Sequence, residues 1–160
     1  NVEGNVGGVP IASDIPAAPP PTARPTSPPP PPTQPPAPTQ PPAPQYAYSY
    51  QQGSMQSAPN CGTVYLEGKV VDGGGAGING VTVELEFFGN KVYRSTGEGK
   101  NPGEFGFTPL SQEFYKSTVP FNLRLVQSAS NPSPISDTAF IDFRTCEAAG
   151  QFTNITFRRN

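Results

Sequence analysis

The sequence predicts an all-β protein, a seven-stranded Greek-key sandwich that follows an N-terminal, extended polyproline II arm. Composition divides the chain, because 18 of the 23 prolines precede Cys61 and all ten phenylalanines follow it. After Cys61, apolar residues alternate with polar ones in short runs bounded by Gly, Pro, Asn and Ser, and no helical period is visible. Residues 61–160 suffice for one sandwich domain with a single core.

The first 60 residues are predicted to form two segments, an N-terminal assembly segment (1–15) and a Pro-rich arm with a Tyr-rich end (16–60). Residues 16–44 are mainly Pro, Ala, Thr and Gln, which bury too little apolar surface to form a core. Polyproline II rises about 3.1 Å per residue, so this stretch would make a stiff spacer of roughly 90 Å.

The arm contains a repeat of six residues, in which Pro-Pro-Ala-Pro-Thr-Gln follows a similar Pro-Pro-Pro-Pro-Thr-Gln. Polyproline II has three residues per turn, so Ser27, Thr33 and Thr39 would share one edge of the rod. Hydroxyls flanked by proline in an exported segment are candidates for O-glycosylation. The candidates are Thr22, Thr26, Ser27, Thr33 and Thr39.

Two stretches that flank the arm are candidates for assembly. Within residues 1–13, four apolar residues stand among glycines in a weakly strand-like pattern; they are Val2, Val6, Val9 and Ile11. At the other end, Tyr46, Tyr48 and Tyr50 alternate with small residues, which is typical of a strand with one aromatic face. The tyrosines could pack on their own domain or contact another subunit.

The sandwich domain (61–160) is predicted to contain strands at 64–72, 80–88, 91–96, 104–107, 118–127, 136–144 and 152–158. In the second of these, Val81, Val83, Leu85 and Phe87 alternate with Thr82, Glu84 and Glu86. The first set would face the core and the second set the solvent. In the sixth strand, Ala139, Ile141 and Phe143 would lie opposite Phe140 and Asp142.

Residues 68–107 contain a recognisable pattern. Gly68-Lys69-Val70-Val71-Asp72 is followed by Gly77-Ile78-Asn79-Gly80-Val81-Thr82-Val83-Glu84-Leu85, and then by Thr96 and Gly103-Glu104-Phe105-Gly106-Phe107. This resembles the opening of carboxypeptidase regulatory-like domains. The resemblance implies a transthyretin-like sandwich, which many exported proteins use as a structural or adhesive module. The pair of cysteines in this chain is not part of that family's general pattern and suggests a narrower subgroup of bacterial surface proteins.

Cys61 and Cys146, the only two cysteines, stand near the two ends of the domain. Two cysteines in an exported chain usually form a disulfide, which is the bond predicted here. The chain starts at Asn1, so we expect that an export signal has been removed and that the protein is extracellular or at the cell surface. No apolar run is long enough to span a bilayer.

Several functional classes are disfavoured by the residues present. The chain has no His, and its net charge of −2 comes without a basic stripe, so we expect neither a nucleic-acid partner nor a cofactor or metal site. Glu84 and Glu86 could form a carboxylate pair, but they are interpreted as solvent-face residues, and no enzymatic activity is expected. Asn154-Ile155-Thr156 is an N-glycosylation sequon, which makes Asn154 a further candidate.

The function expected is that of a structural subunit in an extracellular, glycosylated filament or surface appendage. Its partners would be other copies of itself, joined head to tail through the N-terminal arm and the sandwich, and glycans are a further possible partner. The alternative is a stalked cell-surface adhesion or carbohydrate-binding module. An accessory domain of a larger enzyme is a third hypothesis.

Overall fold

The computed structural model describes Gly8, residues 16–30 and residues 46–160. The chain divides into two units, Asn1–Pro41 and Pro42–Asn160. In the first unit, residues 16–30 are exposed and form neither helix nor strand. The repeat beyond Pro30, with Thr33 and Thr39, and the assembly candidates Val2, Val6, Val9 and Ile11 lie outside the described residues.

The second unit confirms the predicted fold class, since its strands form two sheets that pack as a sandwich. Its described part has nine strands, two more than predicted, and one short 3-10 helix at Gln112–Phe114. The strands are β1 (Tyr48–Tyr50), β2 (Gln56–Ala58), β3 (Tyr65–Val71), β4 (Thr82–Phe87), β5 (Asn90–Ser95), β6 (Glu104–Phe107), β7 (Val119–Val126), β8 (Ala139–Phe143) and β9 (Gln151–Arg159).

The five-stranded sheet has the order β1-β9-β3-β6, and β2 also pairs with β9. The four-stranded sheet has the order β5-β4-β7-β8. The chain crosses between the sheets after β3, β5, β6 and β8. Strands β3 and β9 pair in parallel, whereas the other strand pairs are antiparallel. The four-stranded sheet therefore ends in β5 on one side and β8 on the other.

The core lies between the inner faces of the two sheets, where the alternating apolar residues meet. Every residue predicted to face inward is buried except Phe87, which is half-buried. Burying one such side chain fully contributes about 1.5–3 kcal/mol relative to leaving it in water. The largest fully buried side chains are Phe105, Phe121, Phe143, Phe157, Leu66, Leu85, Leu123, Leu125, Ile141 and Ile155.

Residues 46–60, predicted to be part of the Pro-rich arm, carry β1 and β2. Both strands pair antiparallel with β9, at Tyr48↔Arg159 and at Gln56↔Thr153. Each strand has only three residues, so the surrounding composition still resembles that of an arm. Their pairing with a strand about a hundred residues away in the chain is not visible in that composition.

Two glycines of the carboxypeptidase regulatory-like pattern lie against each other beside β3. Gly103 has a φ of 78°, and a Cβ built on it would lie 2.5 Å from the Val70 carbonyl oxygen and 2.6 Å from the Gly77 Cα. A side chain at position 103 would therefore be strained in conformation and would also clash with backbone. Glycine allows the turn before β6 to pass this close to β3.

Candidate interaction edge and polar face

The predicted disulfide between Cys61 and Cys146 is confirmed, with the two Cα atoms 4.9 Å apart. It joins the loop before β3 to the loop before β9. These sulfurs and a carboxylate oxygen of Glu147 form the one cluster of three potential metal ligands in the described part of the chain, and they lie within 4.8 Å of one another. Metal binding needs the thiolate form of cysteine, which the disulfide removes.

Tyr48 and Tyr50 pack on their own domain. Of the two possibilities for the alternating tyrosines, packing on the domain and contact with another subunit, these two residues show the first. Tyr48 is buried, and its backbone N–H donates to the Ile135 carbonyl oxygen at 3.1 Å. The Tyr50 ring lies 5.6 Å from the Phe157 ring, centroid to centroid. Tyr46 is half-buried, and its carbonyl oxygen accepts a hydrogen bond from the Asn160 side chain.

The interpretation of Glu84 as a solvent-face residue is wrong. Its side chain is 1% exposed, although it lies on the outer face of the four-stranded sheet. Strand β4 is flanked by β5 and β7, and the strand registers place Tyr93 and Arg124 directly opposite Glu84. These two large side chains cover the carboxylate. Glu86, nearer the end of β4, remains half-buried.

Both carboxylate oxygens of Glu84 are occupied. Arg124 donates to Oε1 through Nε at 2.8 Å and Nη2 at 2.7 Å, and the Tyr93 hydroxyl donates to Oε2 at 2.9 Å. Desolvation, followed by the hydrogen bond to Glu84, raises the pKa of Tyr93 above its ordinary value. The Lys91 ammonium lies 3.5 Å from Oε2. This cluster satisfies a buried charge and leaves Glu84 without the open acceptor that acid–base chemistry would use.

Asn154 lies on a β-bulge in strand β9. Leu66 pairs with Phe152 and Gly68 pairs with Ile155, so two residues of β9 stand opposite Glu67 alone. The bulge allows Phe152 and Ile155, three positions apart, to face the same core. Asn154 has a φ of 58°, and its exposed side chain donates to Gln56 Oε1 at 3.0 Å. The sequon is therefore accessible, while its asparagine also fits a left-handed backbone position.

Three large apolar side chains are exposed on the described surface, namely Phe140 (60%), Phe88 (52%) and Phe114 (36%). Phe88 is in the turn between β4 and β5 at a φ of 50°, and its ring lies 5.5 Å from that of Phe114. Phe140 is the second residue of β8. The sequence signal for Phe140 is an aromatic residue on the polar side of an alternating strand.

The described edges of the two sheets differ in how well they are protected against pairing with another chain. Strands β1 and β2 are three residues each and are separated by a turn. The Glu104 carbonyl oxygen of β6 accepts a hydrogen bond from the Gly97 N–H, and β5 carries Lys91 and Arg94. Short strands, covering loops and cations all discourage strand addition. Tyr48 of β1 forms a parallel bridge with Ser136 and so covers the residues directly before β8. Strand β8 itself presents Phe140 and is the least protected of these edges.

Pro120 shows which backbone groups of β8 face this open edge. Pro120 has no N–H and pairs with Asp142, so this pair cannot exchange two hydrogen bonds. Because bonded and non-bonded pairs alternate along an antiparallel ladder, Phe121↔Ile141 is a bonded pair and Asn122↔Phe140 is not. The N–H and C=O groups of Phe140 and Asp142 therefore point away from β7, toward the edge.

In the part of the chain that the structure describes, no helix is long and apolar enough to cross a membrane. No protein-family model, curated protein or solved structure matched this chain. The resemblance to carboxypeptidase regulatory-like domains stays a prediction, carried by the residues between 68 and 107 that were quoted for it.

Proposed function

We propose that the protein is a structural subunit of an extracellular filament or surface appendage, in which copies join head to tail through the N-terminal segment (1–15) and the sandwich. The open β8 edge is the observation that carries this proposal. It offers unpaired backbone groups at Phe140 and Asp142 beside the most exposed large apolar side chain described. An edge of this kind is a template for strand addition by another chain.

Further properties support the proposal. The N-terminal residues belong to a different unit from the sandwich. The arm is predicted to be stiff, which favours contact with a neighbour over a return to the same domain. A heterologous contact between an arm and an edge does not close on itself, and repeated along a row of copies it gives a filament. The disulfide is typical of exported proteins.

The proposed filament is glycosylated along its arm. Thr22, Thr26 and Ser27 are exposed and stand among prolines, so their hydroxyls are accessible for modification. Thr33, Thr39 and Asn154 are further candidates from the sequence. The intact mass of protein from its native source is expected to exceed that of the bare polypeptide by whole hexose units, and equality of the two masses would contradict glycosylation.

Truncation tests the proposed assembly. A chain that starts at Pro16 should keep the folded, disulfide-bonded sandwich, because the described strands all lie after residue 46. It should nevertheless lose polymerisation, seen as globules instead of filaments in negative-stain electron microscopy. Circular dichroism controls for folding. Normal filaments from the truncated chain, or a monomeric full chain at high concentration, would show that the proposal is wrong.

A further inference from the structure

The sequence of residues 9–15 suits addition to the β8 edge best in one orientation and one register. This contact would join two copies in the filament, and it rests on the proposed function. The acceptor side consists of Phe140 and Asp142, whose backbone groups face the open edge, and Arg144 just beyond β8. The Arg144 side chain is 72% exposed and forms an ion pair with Asp142 at 2.8 Å. The donor side is the sequence Val9-Pro10-Ile11-Ala12-Ser13-Asp14-Ile15.

The parity of the donor segment is fixed by Pro10. In a strand, every second residue directs its backbone N–H and C=O groups to the same side. Proline has no N–H group to donate to a neighbouring strand. Pro10 therefore has to be on the solvent side, which leaves Val9, Ile11, Ser13 and Ile15 to bond to β8. Three of these four residues are apolar.

The orientation follows from where these apolar residues would go. In antiparallel addition, the residues that bond to β8 would stand directly opposite Phe140 and Asp142. They would therefore lie on the same outer face of the sheet as these two residues. Asp14, which alternates with them, would then lie on the inner face. In parallel addition, each β8 residue bonds to the two residues that flank its opposite partner. Val9, Ile11 and Ile15 would then continue the inner face of Ala139, Ile141 and Phe143, with Asp14 in solvent. Burial of apolar area favours the parallel orientation.

Charge selects the register. If Ala12 stood opposite Phe140, Asp14 would stand opposite Asp142, and like charges directly opposite each other are destabilising. If Pro10 stands opposite Phe140, Ala12 stands opposite Asp142 and Asp14 stands opposite Arg144. The exposed phenylalanine ring then covers proline. Arg144, which already donates to Asp142 at 2.8 Å, would lie between the carboxylates of Asp142 and Asp14.

We propose that residues 9–15 of one copy add in parallel to the β8 edge of the next copy, with Pro10 opposite Phe140, Ala12 opposite Asp142 and Asp14 opposite Arg144. The added strand would be the fifth in the four-stranded sheet. The contact is heterologous, so every copy both donates and accepts a strand.

Cysteine cross-linking in the full chain tests the register. Ala12→Cys is placed in one copy and Asp142→Cys in another, and the two proteins are mixed, assembled and oxidised. Opposite residues of neighbouring strands lie about 4.8 Å apart, which a disulfide can bridge, whereas a shift of two residues separates the Cα atoms by about 8 Å. We expect a covalent dimer from this pair. Two matched controls report the alternatives. Ala12→Cys with Phe140→Cys would cross-link in the shifted parallel register. Ser13→Cys with Asp142→Cys would cross-link in the antiparallel orientation.

The outcomes separate this inference from the proposed function. Filaments whose cross-links form only in a control pair, or only with cysteines placed in β5 or β6, would overturn the β8 contact and leave the filament subunit standing. A cross-link formed only within one chain carrying both cysteines would overturn the contact between copies. A full chain that never polymerises would overturn both.

Reversing the charges of the proposed Asp14–Arg144 pair gives an independent test of the register. Arg144→Glu removes the ion pair with Asp142 in its own chain as well as the proposed contact with Asp14. It should weaken assembly about two- to fivefold, and Asp14→Arg in the same chain should restore it because only the contact between copies is re-formed. Lys69→Glu makes the same change of charge on the five-stranded sheet and should have no effect. Failure of Asp14→Arg to rescue Arg144→Glu would contradict the proposed register.

Discussion

At the scale of single residues, the environment of a side chain depends on which strand carries it as well as on which face it occupies. Glu84 and Asp142 both lie on the outer face of the four-stranded sheet, yet Glu84 is buried and Asp142 is exposed. Glu84 has a neighbouring strand on each side, so Tyr93 and Arg124 meet over it. Asp142 is on an edge strand and has a neighbour on one side only.

The Tyr93–Glu84 contact predicts a loss of stability in alkali. The pKa of Tyr93 is raised from 10.0 in the folded protein, so above this pH the unfolded chain loses the tyrosine proton first. The folded state then binds more protons than the unfolded state, and the free energy of unfolding falls as pH rises. Urea denaturation between pH 8 and pH 11 should show this fall. Tyr93→Phe should reduce the slope above pH 10, and an unchanged slope would contradict the role of Tyr93.

At the scale of elements, the pairing of β8 and the irregular pairing of β9 each have a local sequence cause. Pro120 opposite β8 fixes which of its backbone groups remain unpaired. In β9, the spacing of three between Phe152 and Ile155 cannot put both side chains on one face of a regular strand, so the chain inserts a bulge. Gln56 of the neighbouring β2 accepts the hydrogen bond from Asn154 there.

The bulge predicts different costs for two substitutions at position 154. Asn154→Ala should lower the free energy of unfolding by about 1–2 kcal/mol, because alanine is strained in the left-handed backbone region that asparagine tolerates. Asn154→Gly is the matched control, since it removes the same side chain but suits a φ of 58°. It should cost less than Asn154→Ala in urea denaturation. Equal losses from the two variants would show that backbone conformation does not determine the choice of residue.

At the scale of the whole molecule, the sandwich is one cooperative body built from contacts between distant parts of the chain. The first strand of the predicted seven, β3, pairs in parallel with the last, β9, so the domain is complete only when its final strand is in place. The Cys61–Cys146 disulfide links the loops that precede these two strands. It constrains the unfolded chain between the same two regions that the native sheet brings together.

Removal of the disulfide should therefore destabilise the sandwich without changing its fold. The bond spans a sequence separation of 85 residues. The chain-entropy model gives about 4–5 kcal/mol for a loop of this size. Cys61→Ala with Cys146→Ala should lower the free energy of unfolding by roughly that amount in urea denaturation at neutral pH. Reduced wild-type protein serves as the control and should match the double variant. A loss below about 1 kcal/mol would contradict the entropic role of the bond.

Local sequence patterns were enough to predict the all-β class, the seven principal strands, the inward-facing residues and the cysteine pair. These features depend on local periodicity and composition: alternation shows which residues share a face whatever the partner strand is. The same alternation indicated that Phe140 is unusual, because this aromatic residue lies on the face of its strand that is otherwise polar.

The tertiary structure alone decided which strands are neighbours and therefore which positions are covered. It placed β1 and β2 beside β9, put Glu84 in the middle of a sheet under Tyr93 and Arg124, and left β8 at an edge. Strand pairing joins residues that are distant in the chain, and no local pattern specifies the partner. Burial on an outer face and exposure of an edge are consequences of that pairing, so only the assembled sheets reveal them.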